Sequence, residues 1–273
     1  MGHGQALEPF LRWAGGKRWL VEYLKKLFPA NFRRYHEPFL GGGAVFFSLR
    51  PSLASLSDSN EWLITTYTAI RDNYDGVASL LAGHHHKHST EYYYRIRARQ
   101  FRTPVERAAQ LIYLNRTCWN ALFRVNKHGA FNVPKGTKEI VLYPQDDFAS
   151  WREALSTADL SVADFREAFE LVEEDDLVFA DPPYITTHSM NGFVKYNEKI
   201  FTWRDQQDLF ENAIAATRRG ATVIVTNAPH SSIRQLYRGS GIIKKYVRRP
   251  SVIAASALNR RDITEAIILM RPE

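Results

Sequence analysis

Two hydrophobic rhythms alternate along this 273-residue chain. Trp19, Leu20, Tyr23, Leu24 and Leu27 recur at helical spacing until Pro29 stops them. Residues 34–39 predict a first strand, which runs into Leu40-Gly41-Gly42-Gly43 and a helix from Ala44 to Leu49. Residues 53–56 predict a second short strand, ending at Asp58-Ser59-Asn60. From about residue 61 to 145 polar helices replace strands, with Val105, Ala108, Ala109 and Ile112 marking one helix face and a loop-rich run at 115–136. The strand–helix rhythm then returns, with apolar runs at 160–165, 177–180 and 221–226. Two last runs, 242–249 and 263–270, read as an antiparallel pair across a loop. Strands alternating with helices assemble into a parallel sheet covered on both faces. The pattern therefore predicts an α/β fold: a mostly parallel sheet with a terminal antiparallel strand pair, plus an inserted, mainly helical module.

Composition narrows the partners more than the fold. At 45% hydrophobic, the chain can bury a sizeable core, as one large domain or two modest ones. Its 36 basic against 29 acidic residues, net +7, suit a polyanionic partner. The single cysteine, Cys118, excludes an internal disulfide framework and reads as packing. No apolar run reaches the ~18 residues of a membrane-spanning helix, and Met1-Gly2-His3-Gly4-Gln5 has no charged-then-apolar signal pattern. A cytoplasmic monomer without a membrane partner is the expectation. His84-His85-His86-Lys87-His88 reads as a solvated loop, because consecutive residues cannot aim several rings at one ion. No metal is expected.

The chemistry concentrates where strands end. Asp181-Pro182-Pro183-Tyr184 closes the apolar run 176–180, at the edge where open α/β sheets bind ligands. The Asp181 carboxylate and the Pro182 carbonyl can both accept hydrogen bonds from an exocyclic amine. The two prolines stiffen the backbone and remove two N–H donors. Tyr184 offers a flat face for stacking a planar base. A second site forms at the glycine turn. Gly41 and Gly43 permit close backbone approach, and Asp58 at the end of the next strand is placed for ribose hydroxyls. Phe46 stands where a dinucleotide fingerprint needs its third glycine, and Glu37 would repel a phosphate. A nucleoside cofactor without phosphates fits better, with Glu37 receiving a cationic ammonium.

These motifs, in this order, resemble the Dam-type (D12 class) DNA adenine-N6 methyltransferases, and the resemblance spans nearly the whole chain. Trp13-Ala14-Gly15-Gly16-Lys17 is similar to the family's N-terminal cofactor motif. Glu37-Pro38-Phe39-Leu40-Gly41-Gly42-Gly43 is similar to its glycine motif, and Asp58-Ser59-Asn60 to its acidic motif. Ala163-Asp164-Phe165 resembles the segment that holds the cofactor's adenine, and Asp181-Pro182-Pro183-Tyr184 the catalytic motif. Further matches are Leu114-Asn115-Arg116, Phe131-Asn132-Val133-Pro134, Asp205-Gln206 and the stretch from Arg249 through Glu265. The resemblance implies a Rossmann-like methyltransferase sheet. S-adenosylmethionine is its implied cofactor, held by Trp13, Lys17, Glu37, Phe39, Gly41, Gly43, Asp58, Asp164, Phe165 and Asp181. Asp181, Pro182 and Tyr184 are the implied catalytic residues, acting on an adenine flipped from duplex DNA. On this reading residues 1–60 and 146–273 form the catalytic domain, and 61–145 the target-recognition module.

The module is dense in residue types that read bases. Arginine pairs with guanine and asparagine with adenine, each through two hydrogen bonds. With the resemblance, Asn120, Arg124, Asn126 and Asn132 are read as DNA contacts and Trp119 as a wedge in the opened stack. Lys127 and His128 flank Gly129 in a hairpin turn suited to phosphate. Leu122 and Phe123 are read as core of the module. Asn120, Leu122, Arg124, Asn126 and Pro134 stand where relatives that read GATC carry similar residues, so GATC is the expected site. Lys135-Gly136-Thr137-Lys138 departs from the aromatic, glycine, arginine and aromatic run of many relatives, which predicts that reading of the outermost base is relaxed or supplied by another residue and leaves a related site as the alternative. Arg248-Arg249 and Arg260-Arg261 are read as a solvated or phosphate-facing rim. An N4-cytosine or RNA methyltransferase uses a chemically similar amine, and a silent DNA-binding module shares the basic surface. The Asn/Arg-rich insert opposes the first alternative, and the intact Asp181, Tyr184, Asp164 and glycine turn oppose the second. Host marking, a restriction-modification partner and a phage enzyme all use the same chemistry.

Overall fold

A computed structural model describes residues 7–184, 201–239, 242–250 and 262–272. Among the described residues seven strands form one sheet: β1 (Tyr35–Glu37), β2 (Ala54–Asp58), β3 (Ala158–Val162), β4 (Leu177–Ala180), β5 (Thr222–Asn227), β6 (Ile242–Pro250) and β7 (Asp262–Met270). Their order is β3-β2-β1-β4-β5-β7-β6. The first five are parallel, and β7 runs antiparallel to both neighbours. The terminal pair holds register from Ile242 opposite Met270 to Pro250 opposite Asp262.

β4 and β5 are buried on both faces, so β4 is wholly apolar and β5 carries the continuous run Val223–Val225 instead of an alternation. Side-chain alternation still sorts them. Leu177 and Phe179 enter one core, and Val178 and Ala180 enter the other. The first core joins the sheet to helices α2 (Ala44–Leu49), α3 (Glu61–His86), α4 (Thr90–Ala98), α5 (Pro104–Thr117) and α6 (Phe148–Leu155). The second lies under α7 (Phe165–Glu170), α8 (Trp203–Arg218) and α9 (Ser231–Leu236). A short helix α1 (Val21–Leu24) precedes β1, where the periodicity predicts one.

Helices α3, α4 and α5 lie between β2 and β3 in sequence, as the loss of strand rhythm there predicts. Their starts are written in the chain. Asn60, Ser89 and Thr103 each cap a helix by accepting a backbone N–H, and Thr103 with Glu106 completes a capping box. Several strand boundaries differ from the pattern by one to three residues, and two of the ends have a plain cause. β1 stops at Glu37 because Pro38 cannot donate to a ladder. β3 ends at Val162 because Asp164 turns the chain by capping α7. The histidine run also differs from expectation. His84, His85 and His86 form the last turn of α3, and His84 is buried against Tyr92 with Nδ1 2.7 Å from its hydroxyl. Burial drops its pKa to about 4, so it packs as a neutral ring.

The connection from β1 goes outward to β2 and β3, and the chain then returns to β4 and β5 on the other side. That reversal opens a crevice beyond the C-terminal ends of β1 and β4, where sheets of this kind bind ligands. Among the described residues no helix is long and apolar enough to cross a membrane.

Candidate active site

A cavity of about 900 Å³ fills that crevice. One wall is the turn after β1. Gly41 and Gly43 adopt the left-handed region, with φ 49° and 64°. A Cβ on Gly41 would sit 3.0 Å from the Trp13 ring. The Gly41 N–H donates to Asp58 Oδ2 at 3.0 Å, and Asn60 N–H donates to Oδ1 at 3.0 Å. The carboxylate that was read only as a ribose partner therefore also ties the two turns together. Burial raises its pKa, and these two N–H groups oppose that rise. Beneath the turn lies Glu37, 3% exposed, with Oε2 accepting from the Tyr35 hydroxyl at 2.8 Å. Burial pushes its pKa up to about 8, with Asp181 and Asp58 adding to the rise and the Tyr35 hydrogen bond opposing it.

The opposite wall is aromatic. Phe39 stacks on Phe165 with centroids 5.4 Å apart, and Phe201 meets Phe39 edge-on at 5.8 Å. Phe165 opens α7, whose cap Asp164 accepts from Arg166 N–H at 3.0 Å. Arg166 was not singled out from the sequence. Its guanidinium lies 4.4 Å from the Phe165 ring centre and pairs with Asp164, Asp205 and Asp208. It locks both the carboxylate and the ring that face the cavity. The matched Asp205-Gln206 dipeptide is the trace of this contact in the sequence.

The cavity ends at Asp181, where β4 stops. Lys17, 4% exposed, places Nζ 2.9 Å from Asp181 Oδ2 and donates to the Gly15 carbonyl at 2.7 Å. The same ammonium stands 4.9 Å from the Tyr184 ring centre. Thr226 donates to Asp181 Oδ1 at 2.6 Å, and the Tyr184 hydroxyl donates to Glu265 Oε2 at 3.2 Å. Burial, reinforced by Asp181 and Glu265, raises the Tyr184 phenol far above its ordinary pKa and keeps it neutral. Pro182 is buried and Pro183 exposed. Thr226 was legible only as a strand end. Glu265 was named only as the end of the matched stretch from Arg249; the signal for it is a carboxylate inside an apolar strand, a position that calls for a partner.

The loop-rich run forms a separate surface. Val125 and Phe131 pair in an antiparallel bridge, and Asn126 N–H donates to the Ala130 carbonyl at 2.8 Å, closing the hairpin read from the sequence. Asn126 Oδ1 accepts from His128 and Ala130 N–H, so this oxygen builds the turn, while Lys127 is exposed at its tip. Arg124 Nε donates to Asn132 Oδ1 at 2.7 Å, which makes these two residues one unit. Trp119 is 51% exposed, beside Asn120 at φ 54°. Leu122 is 39% exposed, which corrects its reading as core. Phe123 does pack inward, against Trp13, Trp62 and Phe131. The Trp13–Phe123 stack, 5.2 Å between centroids, joins the cavity to this surface. Asn115 adds a second joint, accepting from Arg12 N–H at 2.9 Å and donating to its carbonyl at 2.8 Å. Arg116 pairs inside the fold with Asp146. Cys118 is buried and burial pushes its thiol up to about 12, consistent with packing. The side chains of Arg248 and Arg249, and all of Arg260-Arg261, lie outside the described residues. Among the described residues no group of three or more His, Cys, Asp or Glu side chains could hold a metal ion.

A parallel sheet with this reversal, a glycine turn backed by an acidic residue on the next strand, and Asp-Pro-Pro-Tyr at the crevice define a Rossmann-like methyltransferase. The family model for D12 class N6 adenine-specific DNA methyltransferases matches residues 13–250, and the chain belongs to that family. It is 34% identical over 271 residues to the type II methyltransferase M1.LlaDCHI of Lactococcus lactis subsp. cremoris, covering 96% of this chain and 95% of that one. It is 30% identical over 272 residues to a DNA adenine methylase of Vibrio cholerae, covering 96% of each. The DNA adenine methylase of Escherichia coli (strain K12) is 29% identical over 268 residues, covering 96% of this chain and 95% of that one. The chain is thus an adenine-specific DNA methyltransferase.

Proposed function

We propose that the chain binds S-adenosylmethionine in the cavity and methylates N6 of an adenine flipped out of double-stranded DNA, most often at GATC. The lining fits the cofactor part by part. The buried Glu37 carboxyl suits its ammonium, Asp58 its ribose hydroxyls, and Phe39, Asp164 and Phe165 its adenine. Trp13, Gly41 and Gly43 shape the wall. When bound, the cofactor supplies a sulfonium methyl group.

The chain's own residues prepare the amine. An aromatic amine is a weak nucleophile because its lone pair is delocalised into the ring. Hydrogen bonds from N6 to the Asp181 carboxylate and the Pro182 carbonyl favour a tetrahedral nitrogen, with its lone pair aimed into the cavity. A carboxylate has about four lone-pair positions. Lys17 and Thr226 take one on each oxygen, and the amine takes another. Asp181 then stabilises the positive charge that develops on N6. Flipping costs a few kcal/mol, and stacking on Tyr184 recovers ~1–3 kcal/mol.

Recognition is assigned to the module 61–145. Trp119 is the wedge, Asn120, Arg124, Asn126 and Asn132 contact DNA, and Lys127 meets phosphate. The rest of the chain, 1–60 and 146–273, carries the catalysis. The reading includes a cytoplasmic monomer.

One observation carries the proposal: Asp181 stands where the cofactor cavity meets Tyr184, so one carboxylate faces both reactants. Asp181→Ala tests it, with single-turnover methylation and duplex binding measured side by side. Transfer is lost while DNA affinity stays within a few-fold of normal. Activity within about tenfold of the unaltered enzyme, only ~1.4 kcal/mol of transition-state stabilisation, contradicts the assignment.

A further inference from the structure

The geometry points to Thr226 as a positioning residue that fixes the Asp181 carboxylate for the target amine. The inference rests on the reading of Asp181 as the group that grips N6.

Thr226 is itself held from every side. It lies in β5, 0% exposed, between β4 and β7, with Ile267 of β7 opposite it. The next residue, Asn227, is also fully buried. Its amide donates to Gln206 Oε1 at 2.8 Å, and Gln206 donates to the Tyr237 hydroxyl at 3.2 Å. A threonine has few χ1 choices. Its hydroxyl is therefore a fixed point at the floor of the site.

Asp181 is less constrained. It ends β4 with its side chain 19% exposed. Lys17 holds Oδ2, and an ammonium at the end of a four-carbon stem sets a charge more than a direction. The 2.6 Å hydrogen bond from Thr226 to Oδ1 supplies the second anchor and stops rotation about the first. With both oxygens engaged, the lone pairs left over point in set directions, and the amine meets an acceptor already in place.

The proton placement follows from the hydrogen bonds at Asp181 and Tyr184. Thr226 has one proton, and it goes to Asp181, which as a carboxylate can only accept. The phenol proton goes to Glu265. Asp181 thus remains an acceptor with Tyr184 beside it.

Three variants test this: Thr226→Val, which keeps the shape and loses the hydroxyl, Thr226→Ser, which keeps the hydroxyl, and Asp181→Ala as reference. Single-turnover methylation, cofactor affinity and duplex affinity are measured for each. The infrared carboxylate stretch of the cofactor-free protein with isotope-labelled aspartate gives a readout that does not need turnover. The expected result for Thr226→Val is a rate about 10- to 100-fold lower, the range of a hydrogen bond to a charged group. Both affinities stay within about threefold, so the loss falls on the chemical step. Thr226→Ser keeps the rate within about threefold of the unaltered enzyme. The carboxylate band that Asp181→Ala removes shifts in the valine variant and not in the serine variant. If valine prevents folding, Thr226→Ala takes its place. An inactive Asp181→Ala beside a fully active Thr226→Val overturns this inference alone. Equal losses in the serine and valine variants overturn it too, because they report packing. An active Asp181→Ala overturns the reading of the site and this inference with it.

Discussion

Glu37 should weaken the empty enzyme and strengthen the loaded one. It is buried, and its pKa stands at about 8 against an ordinary value of 4.5. In the unfolded chain this carboxyl ionises near pH 4.5, while in the folded protein it keeps its proton until pH 8. Stability from this residue is therefore greatest below pH 4.5, falls as pH rises, and levels off above pH 8. At ~1.36 kcal/mol per pH unit, the loss between pH 4.5 and pH 7 is about 3 kcal/mol, an upper bound because the fold relaxes around the charge. Glu37→Gln keeps a partner for the Tyr35 hydroxyl and cannot ionise. At neutral pH the variant without cofactor melts roughly 5 °C higher, at about 2 °C per kcal/mol. The difference vanishes near pH 4. Cofactor binding shows the reverse. A cationic ammonium beside Glu37 favours the carboxylate, so binding near pH 6.5 releases close to one proton, and the variant binds more weakly with no release. Scanning calorimetry from pH 4 to 9 reads the first effect. Titration calorimetry in buffers of different ionisation heat reads the second. A glutamine variant no more stable at pH 8 than the unaltered enzyme, together with proton-free binding, would refute the reasoning.

Other outcomes follow from the same geometry. Asp164→Ala weakens cofactor binding by roughly 1–3 kcal/mol in titration calorimetry, the range for leaving a buried polar group unpaired. Asp58→Asn does so to a similar degree, and it melts lower as well, because only one of its two side-chain atoms can still accept from Gly41 and Asn60 N–H; unchanged affinity in both would place the cofactor elsewhere. Duplex affinity falls steeply with salt, and Lys127→Ala reduces the slope by about one charge. Affinity that is flat between low and moderate salt would argue against a phosphate-tracking surface.

Much of the sheet was legible because several strands end at residues with their own reason to stop them. Pro38, Asp58 and Pro182 all mark edges that coincide with the cavity. The terminal antiparallel pair was legible from two long apolar runs. The parts not legible depend on long-range contact. Arg166 looks like an ordinary helical arginine until α8 brings Asp205 and Asp208 to it. Thr226 becomes significant only when β5 lies beside β4. His84 sits in a polar-looking run, yet helix α3 turns it onto Tyr92 and Tyr113. Leu122 was assigned to a core by its type, but the short turn at 119–121 directs it outward. Residue type gave the chemistry of the site, and sheet order decided which side chains meet there.

Asp181 is proposed to hold adenine N6 for methyl transfer at a short duplex site. Base-resolved sequencing of plasmid DNA incubated with the purified enzyme and S-adenosylmethionine tests it most directly, with Asp181→Ala as the blank. N6-methyladenine is expected predominantly at GATC, with relaxation confined to the outermost bases beside Lys135-Gly136-Thr137-Lys138. Methyl groups on cytosine N4, or on adenines in sites lacking an internal AT step, would contradict it.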